Sequence, residues 1–285
     1  MLGQLNMQGK DRVQVAIDRI RQFEPEDGYY LAFSGGKDSV VIKRLADMAG
    51  VKYDAHYNIT TVDPPELVKF IKQKHPDVIR DRPETNMWDL IVQEGIPPTR
   101  RIRYCCEYFK EREALGRVSL MGIRWAESAS RKNGWIPVHP RTGNKDQDRV
   151  DGIAIFNTDN DIRRKMIEQC LLKGTVTVNP IIDWSFEDVW KFIRAENIPY
   201  CSLYDDGFSR LGCIGCPNAG DGRWEQFNRW PHYFKLYLKA FERMADKREK
   251  SGKENDKDAL GWMAWWMQCE IDDPRLRKLE ERSLL

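Results

Sequence analysis

The chain has 285 residues, with 46 Lys and Arg against 44 Asp and Glu, a net charge of +2, and 41% apolar residues that include ten Trp. That supplies a real core and excludes both a disordered chain and a global field attracting polyanions. The longest uncharged stretch, Ala259–Cys269, has eleven residues, too few to span a bilayer, and charges at Lys10, Asp11, Arg12, Asp18 and Arg19 break any secretory apolar segment.

Val13, Ala16, Ile17, Ile20 and Phe23 stand at helical spacing and predict an opening amphipathic helix. Tyr29–Phe33 reads as a buried strand, Ser34–Ser39 as a glycine turn, and Val40–Ala49 as a helix ended by Gly50. Lys52–Thr60 alternates as a strand, and Pro64-Pro65 opens a helix through Lys74. Helical pattern returns at Asn86–Glu94 and Arg101–Leu115, and Val118–Gly122 is a third strand. Asn133–Asp151 is polar and aperiodic, which predicts a mobile loop. A helix at Asp159–Leu172, a strand at Thr175–Asn179 and a helix at Phe186–Ala195 follow. Strands alternating with helices imply an α/β fold, a mostly parallel sheet covered on both faces. Arg223–Cys269 reads as wholly helical, with a charged run from Arg243 to Asp258. The expected division is a domain over 1–220 and a helical extension over 221–285.

Ser34-Gly35-Gly36-Lys37-Asp38-Ser39 lies between a strand and a helix. Two glycines let successive N–H groups turn toward one anion at the helix start. Lys37 adds a mobile positive charge, and Asp38 is placed to hold Mg2+ on the phosphates. The spacing is not that of a Walker A loop. On local grounds a plain turn capped by Ser34 is the alternative.

Seven cysteines, an odd number without a signal peptide, point to thiols or metal ligands in a reducing, cytoplasmic compartment. Cys105-Cys106 and Cys213-x-x-Cys216 form two close pairs and suggest one four-thiolate site. Adjacent residues on a helix diverge by about 100°, which suits separate irons of a [4Fe-4S] cluster better than one zinc ion. Zinc and unliganded buried thiols remain the alternatives, and Cys170 and Cys201 read as unliganded. Arg100, Arg101 and Arg103 either offset the charge of such a cluster or form a solvated face.

With both motifs present, the sequence resembles the phosphoadenosine phosphosulfate (PAPS) reductase family, in particular its iron–sulfur adenosine phosphosulfate (APS) reductase branch. Gly122-Ile123-Arg124 through Glu127-Ser128 is similar to the family's Gly-x-Arg segment. Pro180 to Trp184, Glu187 to Trp190, Ile198 to Tyr200, Leu203-Tyr204-Asp205 and Gly212-Cys213 continue the likeness. The resemblance runs from about Tyr29 to Cys216 and implies a Rossmann-like adenine nucleotide α-hydrolase (PP-loop) fold. It also implies ATP, or APS or PAPS, over Ser34–Ser39 with Gly122 and Asp63 lining the pocket, and a [4Fe-4S] cluster on Cys105, Cys106, Cys213 and Cys216.

The likeness has two departures. The family's Glu-Cys-Gly-x-His segment, which carries a catalytic Cys, does not occur in these residues, so the C-terminal helices are expected to be docked and Cys269 not to act. The PP-loop is intact, as in the small subunit of ATP-dependent sulfate adenylyltransferase and the sulfur enzyme of DNA phosphorothioation. Both point to ATP-dependent, pyrophosphate-releasing sulfur transfer, with Lys37, Asp38 and Arg124 acting on the α-phosphate. The partners would be an unidentified sulfur or electron donor and an acceptor, nucleic acid among the candidates. The alternatives are a sulfite-producing APS or PAPS reductase with a displaced Cys, Cys269 or Cys201, and a non-catalytic nucleotide- or nucleic-acid-binding protein. Trp262, Trp265, Trp266 and Cys269 share one helical face on spacing, read as core or as a base-stacking platform.

Overall fold

Strand β1 (Tyr29–Ala32) is short and apolar, and it pairs in parallel on both sides. Leu31 lies beside Ala55 of β2 (Tyr53–Asn58) and beside Leu120 of β4 (Ser119–Leu120). The computed structural model describes residues 11–111, 116–141, 175–253 and 255–284. Its six-stranded sheet runs β3-β2-β1-β4-β6-β5, with β3 at Ile79–Asp81, β5 at Val138–Arg141 and β6 at Thr175–Val178. All pairings are parallel except β5 with β6. From β1 the chain moves outward to β2 and β3, then returns to the other side at β4. The order therefore reverses beside β1, and right-handed crossovers in opposite directions place helices on both faces.

Helix α1 (Arg12–Gln22) starts where the Asp11 side chain accepts the Val13 N–H, and it buries Ala16, Ile17 and Ile20. Helix α2 (Lys37–Ala49) begins directly at the glycine turn and ends at Gly50, whose φ of +70° favours glycine. Helices α3 (Pro65–Lys74), α4 (Met87–Glu94), α5 (Tyr104–Cys106), α6 (Ala129–Gly134) and α7 (Phe186–Ala195) follow. The last is set by a capping box in which Ser185 and Asp188 exchange side-chain and backbone hydrogen bonds. Then come α8 (Gly222–Arg229), α9 (Pro231–Lys250), α10 (Ala259–Met267) and α11 (Pro274–Leu284).

Several expectations need correction. The helix expected over Arg101–Leu115 is a single turn, α5, followed by a π-helical turn at Glu107–Glu111. The loop expected from Asn133 contains the end of α6, then β5, and the rest of it, with the helix expected at Asp159–Leu172, lies largely outside the described residues. Arg223–Cys269 is interrupted before Pro231, which lacks the N–H that would continue α8, and again at 251–253 and 255–258. A single boundary was expected near Gly220; compactness divides the chain into two discontinuous units, with one break between Leu211 and Gly212. One compact unit holds the described residues of Met1–Asn58, Glu66–Asp81 and Glu113–Leu211; the other holds Ile59–Pro65, Arg82–Arg112 and those of Gly212–Leu285. The whole sheet belongs to the first. Among the described residues no helix is long and apolar enough to cross a membrane.

Beyond α3, His75 is buried against Phe33 and Phe70, with ring centroids 4.8 and 5.2 Å away. Burial, aided by Lys43, pushes its pKa from 6.5 down to about 4. A folded value below the unfolded one means the neutral ring contributes fully above pH 6.5, and that contribution fades as pH falls toward 4. His75→Leu is expected to remove up to about 3 kcal/mol of this acid-dependent loss. Urea denaturation of both proteins at pH 7 and pH 4.5 measures the difference; parallel losses would show that His75 does not titrate this way.

Candidate functional site

The candidate residues gather in two constellations, one in each unit. In the first, the turn after β1 relies on Gly35 at φ +71°. A Cβ there would lie 2.7 Å from Leu67 Cδ1 and 2.8 Å from Ile71, so the backbone passes closer to α3 than a side chain permits. Gly36 is the N-cap of α2 and leaves the helix start without a side-chain cap. Ser39 Oγ donates to Gly36 O at 2.8 Å and stands 3.3 Å from Ser34 Oγ, so both hydroxyls brace the turn. The Lys37 N–H donates to the Tyr204 hydroxyl at 2.8 Å. Burial pushes the Tyr204 phenol up, which keeps it neutral.

Lys37 is buried, its Nζ 5.4 Å from the Phe186 ring centroid and 5.8 Å from that of Tyr204. It reaches Asp38 Oδ2 at 3.2 Å, while Arg124 Nε donates to Asp38 Oδ1 at 2.8 Å. Arg124 is itself only 3% exposed, and its second terminal contact is the Trp184 carbonyl at 3.3 Å. Gly122, just beyond β4, packs flat on the same residue: a Cβ there would lie 3.0 Å from Asp38 Cβ. The turns after β1 and β4 therefore meet at the point where strand order reverses, the place where α/β sheets bind ligands. Ser34, Gly35, Gly36, Lys37, Asp38, Ser39, Gly122 and Arg124 all converge here. The fit to Mg2+ is poorer: both Asp38 oxygens already face cations, so a metal ion would have to displace Lys37 to reach Oδ2.

The second unit holds Cys105, Cys106, Cys213 and Cys216, all half-buried free thiols. A hydrogen bond between Cys105 and Cys106 pushes Cys105 up, aided by burial, and pulls Cys106 down against burial. Arg103 donates to Cys106 Sγ at 3.4 Å and favours its thiolate. Burial pushes Cys213 up against the pull of Lys110, and Cys213 donates to Thr60 Oγ1 at 3.4 Å. Lys110 is pushed up chiefly by Cys213, with Asp63, Cys106 and Cys216 adding to it. The thiols thus share one electrostatic neighbourhood with a lysine and an arginine. Among the described residues no three Cys, His, Asp or Glu side chains come together tightly enough for one metal ion. A zinc ion at about 2.3 Å from each sulfur demands such a tight group. Four cysteine thiolates are a donor set used both by zinc and by iron–sulfur clusters.

Asp63 belongs to this unit. Its carboxylate accepts the Thr60 N–H at 2.8 Å, and its carbonyl accepts the Tyr233 hydroxyl at 3.0 Å. The Thr60 contact is the turn-forming role that local chemistry offers an Asp. Cys201 is fully buried and Cys269 donates to the Ala264 carbonyl; burial pushes both thiols up, which makes poor nucleophiles. Trp262 and Trp266 are buried but Trp265 is 42% exposed, so the expected single aromatic face divides. Sequence reasoning assigned no role to Tyr204, although it lies within a quoted motif, nor to Phe186 or Lys110.

A model of the phosphoadenosine phosphosulfate reductase domain matches residues 28–219. The chain belongs to the PAPS reductase family. It is similar to an uncharacterised protein of Methanocaldococcus jannaschii, at 25% identity over 249 residues, 82% of this chain and 51% of that protein. The adenosine 5'-phosphosulfate reductase of Oceanobacillus iheyensis is 25% identical over 191 residues, 66% of this chain and 68% of its own length. The Neisseria meningitidis protein of the same name is 46% identical over 59 residues, 18% of this chain and 24% of that one. The chain spans only about half the length of the first relatives, 51% and 42%. Among solved structures, the PAPS reductase of Candida auris in its phosphate complex covers 70% of this chain and 87% of its own, at 13% identity and TM-score 0.46.

Proposed function

We propose that this PAPS reductase family member binds ATP over Ser34–Ser39 and catalyses adenylating, pyrophosphate-releasing sulfur transfer. The observation that carries the reading is the Lys37–Asp38–Arg124 chain of ion pairs at an intact PP-loop. Backbone N–H groups at the start of α2 receive the phosphates, and Lys37 balances their charge. Asp38 holds Arg124 in one orientation, so its guanidinium is preorganised for charge developing on the α-phosphate. An acceptor oxygen attacks the α-phosphorus, the bond to the bridging oxygen breaks, and pyrophosphate departs with that electron pair. A sulfur nucleophile then displaces AMP from the activated acceptor. Cys105, Cys106, Cys213 and Cys216 would hold a [4Fe-4S] cluster, which supplies sulfur binding or electron transfer when present, with Arg103 and Lys110 offsetting its negative charge.

The second reading is a sulfonucleotide reductase, favoured by the names of relatives such as the Oceanobacillus protein. Anaerobic protein is expected to carry iron and acid-labile sulfide, and Cys213→Ser to lose most of the iron. It is also expected to release pyrophosphate from ATP when offered an acceptor and a sulfur donor. Stoichiometric zinc without sulfide would overturn the cluster. Sulfite from APS or PAPS, without pyrophosphate from ATP, would establish the second reading instead.

A further inference from the structure

The second unit contains a cavity of about 300 Å3 whose lining includes Arg100, Arg223, Arg275, Trp224, Asp221 and Gln268. None of these residues belongs to the PP-loop or to the four cysteines. Arg223 is buried at 4% exposure, and its donors go to backbone carbonyls: Nε to Gly220 at 3.2 Å, one terminal nitrogen to Trp266 at 2.7 Å, the other to Met267 at 3.4 Å. Carbonyls satisfy hydrogen bonds but leave the net charge uncompensated. Arg100 is anchored through Nε on the Pro217 carbonyl at 3.0 Å. Among the described residues neither guanidinium has a carboxylate ion-pair partner. They also disfavour each other: burial first, and then Arg100, lowers the proton affinity of Arg223.

The third arginine is built in differently. Arg275 is locked by Asp273, at 2.7 Å, and its guanidinium carbon lies 4.4 Å from the Trp224 ring centroid. Cation–π stacking and the ion pair orient its guanidinium at the cavity rim. Three guanidiniums thus stand against two carboxylates, Asp221 in the lining and Asp273 behind Arg275, with the Cys216 and Cys269 thiols also near Arg223. Gly220 has φ +56°, and a Cβ there would come within 3.2 Å of Arg100, so glycine keeps that side chain in place. The cavity has room for an oxyanion with several waters, at about 30 Å3 each.

We propose that this arginine-lined cavity binds a small tetrahedral oxyanion of the sulfate or phosphate class, at a site separate from the nucleotide loop. Arg100, held by Nε alone, presents the fork formed by its terminal nitrogens, a geometry that matches such anions. Arg223 and Arg275, fixed on carbonyls and on Asp273, add positive charge without losing freedom on binding.

The test is calorimetric titration of the full chain with inorganic sulfate and with inorganic phosphate, against chloride at matched ionic strength. Saturable binding of either anion is expected, and the tighter one names the source. Arg100→Gln is expected to weaken it about tenfold, the loss of one charge-assisted contact. Lys37→Ala is expected to keep the binding that Arg100→Gln weakens, which separates the cavity from the PP-loop. Should Arg100→Gln fail to fold, as read from its thermal midpoint, Arg275→Gln replaces it with a several-fold loss expected. No saturable binding, equal affinity in the arginine variant, or loss in Lys37→Ala alone would each overturn the proposal. So would salt-dependent binding of a single-stranded oligonucleotide that needs Arg100 while neither inorganic anion binds, which would assign the cavity to a nucleic-acid backbone.

Discussion

Asp38→Ala is expected to destabilise the protein by about 3–5 kcal/mol, far more than a surface substitution, because it strands a buried charge. Arg124 is 3% exposed and Asp38 19%, so water cannot replace the carboxylate that the guanidinium loses. Lys37 loses its ion pair with Asp38 in the same step, with its side chain only 6% exposed. Asp38→Asn keeps the shape without the charge and should fall between Asp38→Ala and the wild type. Urea denaturation gives the stabilities, and ATP titration of the folded variants tests whether Arg124 is still aimed. A loss below about 1 kcal/mol, the scale of an exposed ion pair, would show that Asp38 does not hold this site together.

Gly215→Ala is the second large effect. Gly215 sits inside Cys213-x-x-Cys216 at φ +77°, and a Cβ there would lie 2.8 Å from Phe227, 2.9 Å from Tyr237 and 3.0 Å from Trp266. Those rings pack on one another and cannot all retreat: Tyr237 and Trp266 have centroids 4.7 Å apart, and Phe227 meets Tyr237 at 5.8 Å. The Tyr237 hydroxyl also donates to the Ile214 carbonyl at 2.9 Å, and Trp266 Nε1 to Pro98 O at 2.6 Å. Left-handed strain and overpacking together cost about 2–5 kcal/mol. Gly212→Ala is the control, since nothing lies within 4 Å of its Cβ position. Equal thermal midpoints for the two variants would contradict this account. On the proposed function, iron content should fall with Gly215→Ala and not with Gly212→Ala.

Local chemistry made much of this legible. Helix α7 matched its expected bounds because Ser185 and Asp188 announce its start, and α2 and α4 end at glycines as their sequences suggest. Strand β3 escaped because Ile-Arg-Asp is too short to alternate and lies at the sheet edge. Strand β5 escaped because a Pro at 140 argues against a strand, yet is tolerated on an edge. The phosphate-loop residues were evident from two glycines and a lysine. Their supports were not, because Arg124 stands 86 residues from Asp38 and Tyr204 stands 167 from Lys37. The turn held by Asp63 was also hidden, because a carboxylate at a strand end suits a turn or a ligand equally on sequence, and the hydrogen bond to Thr60 appears only in three dimensions.

The second unit has one consequence for how the chain matures. Its segments are Ile59–Pro65, Arg82–Arg112 and Gly212–Leu285, so the aromatic rings beneath Gly215 come from α8, α9 and α10, beyond the family-matched stretch that ends at 219. During synthesis from the N-terminus, Cys105 and Cys106 leave the ribosome more than a hundred residues before Cys213 and Cys216. On the proposed function, the first pair must stay reduced while the segments that complete the unit are still being made. Loop closure over such separations is slow compared with helix formation. Newly made chain therefore passes through a stage with the sheet largely translated and the thiols exposed, when premature oxidation or stray metal capture competes with correct assembly.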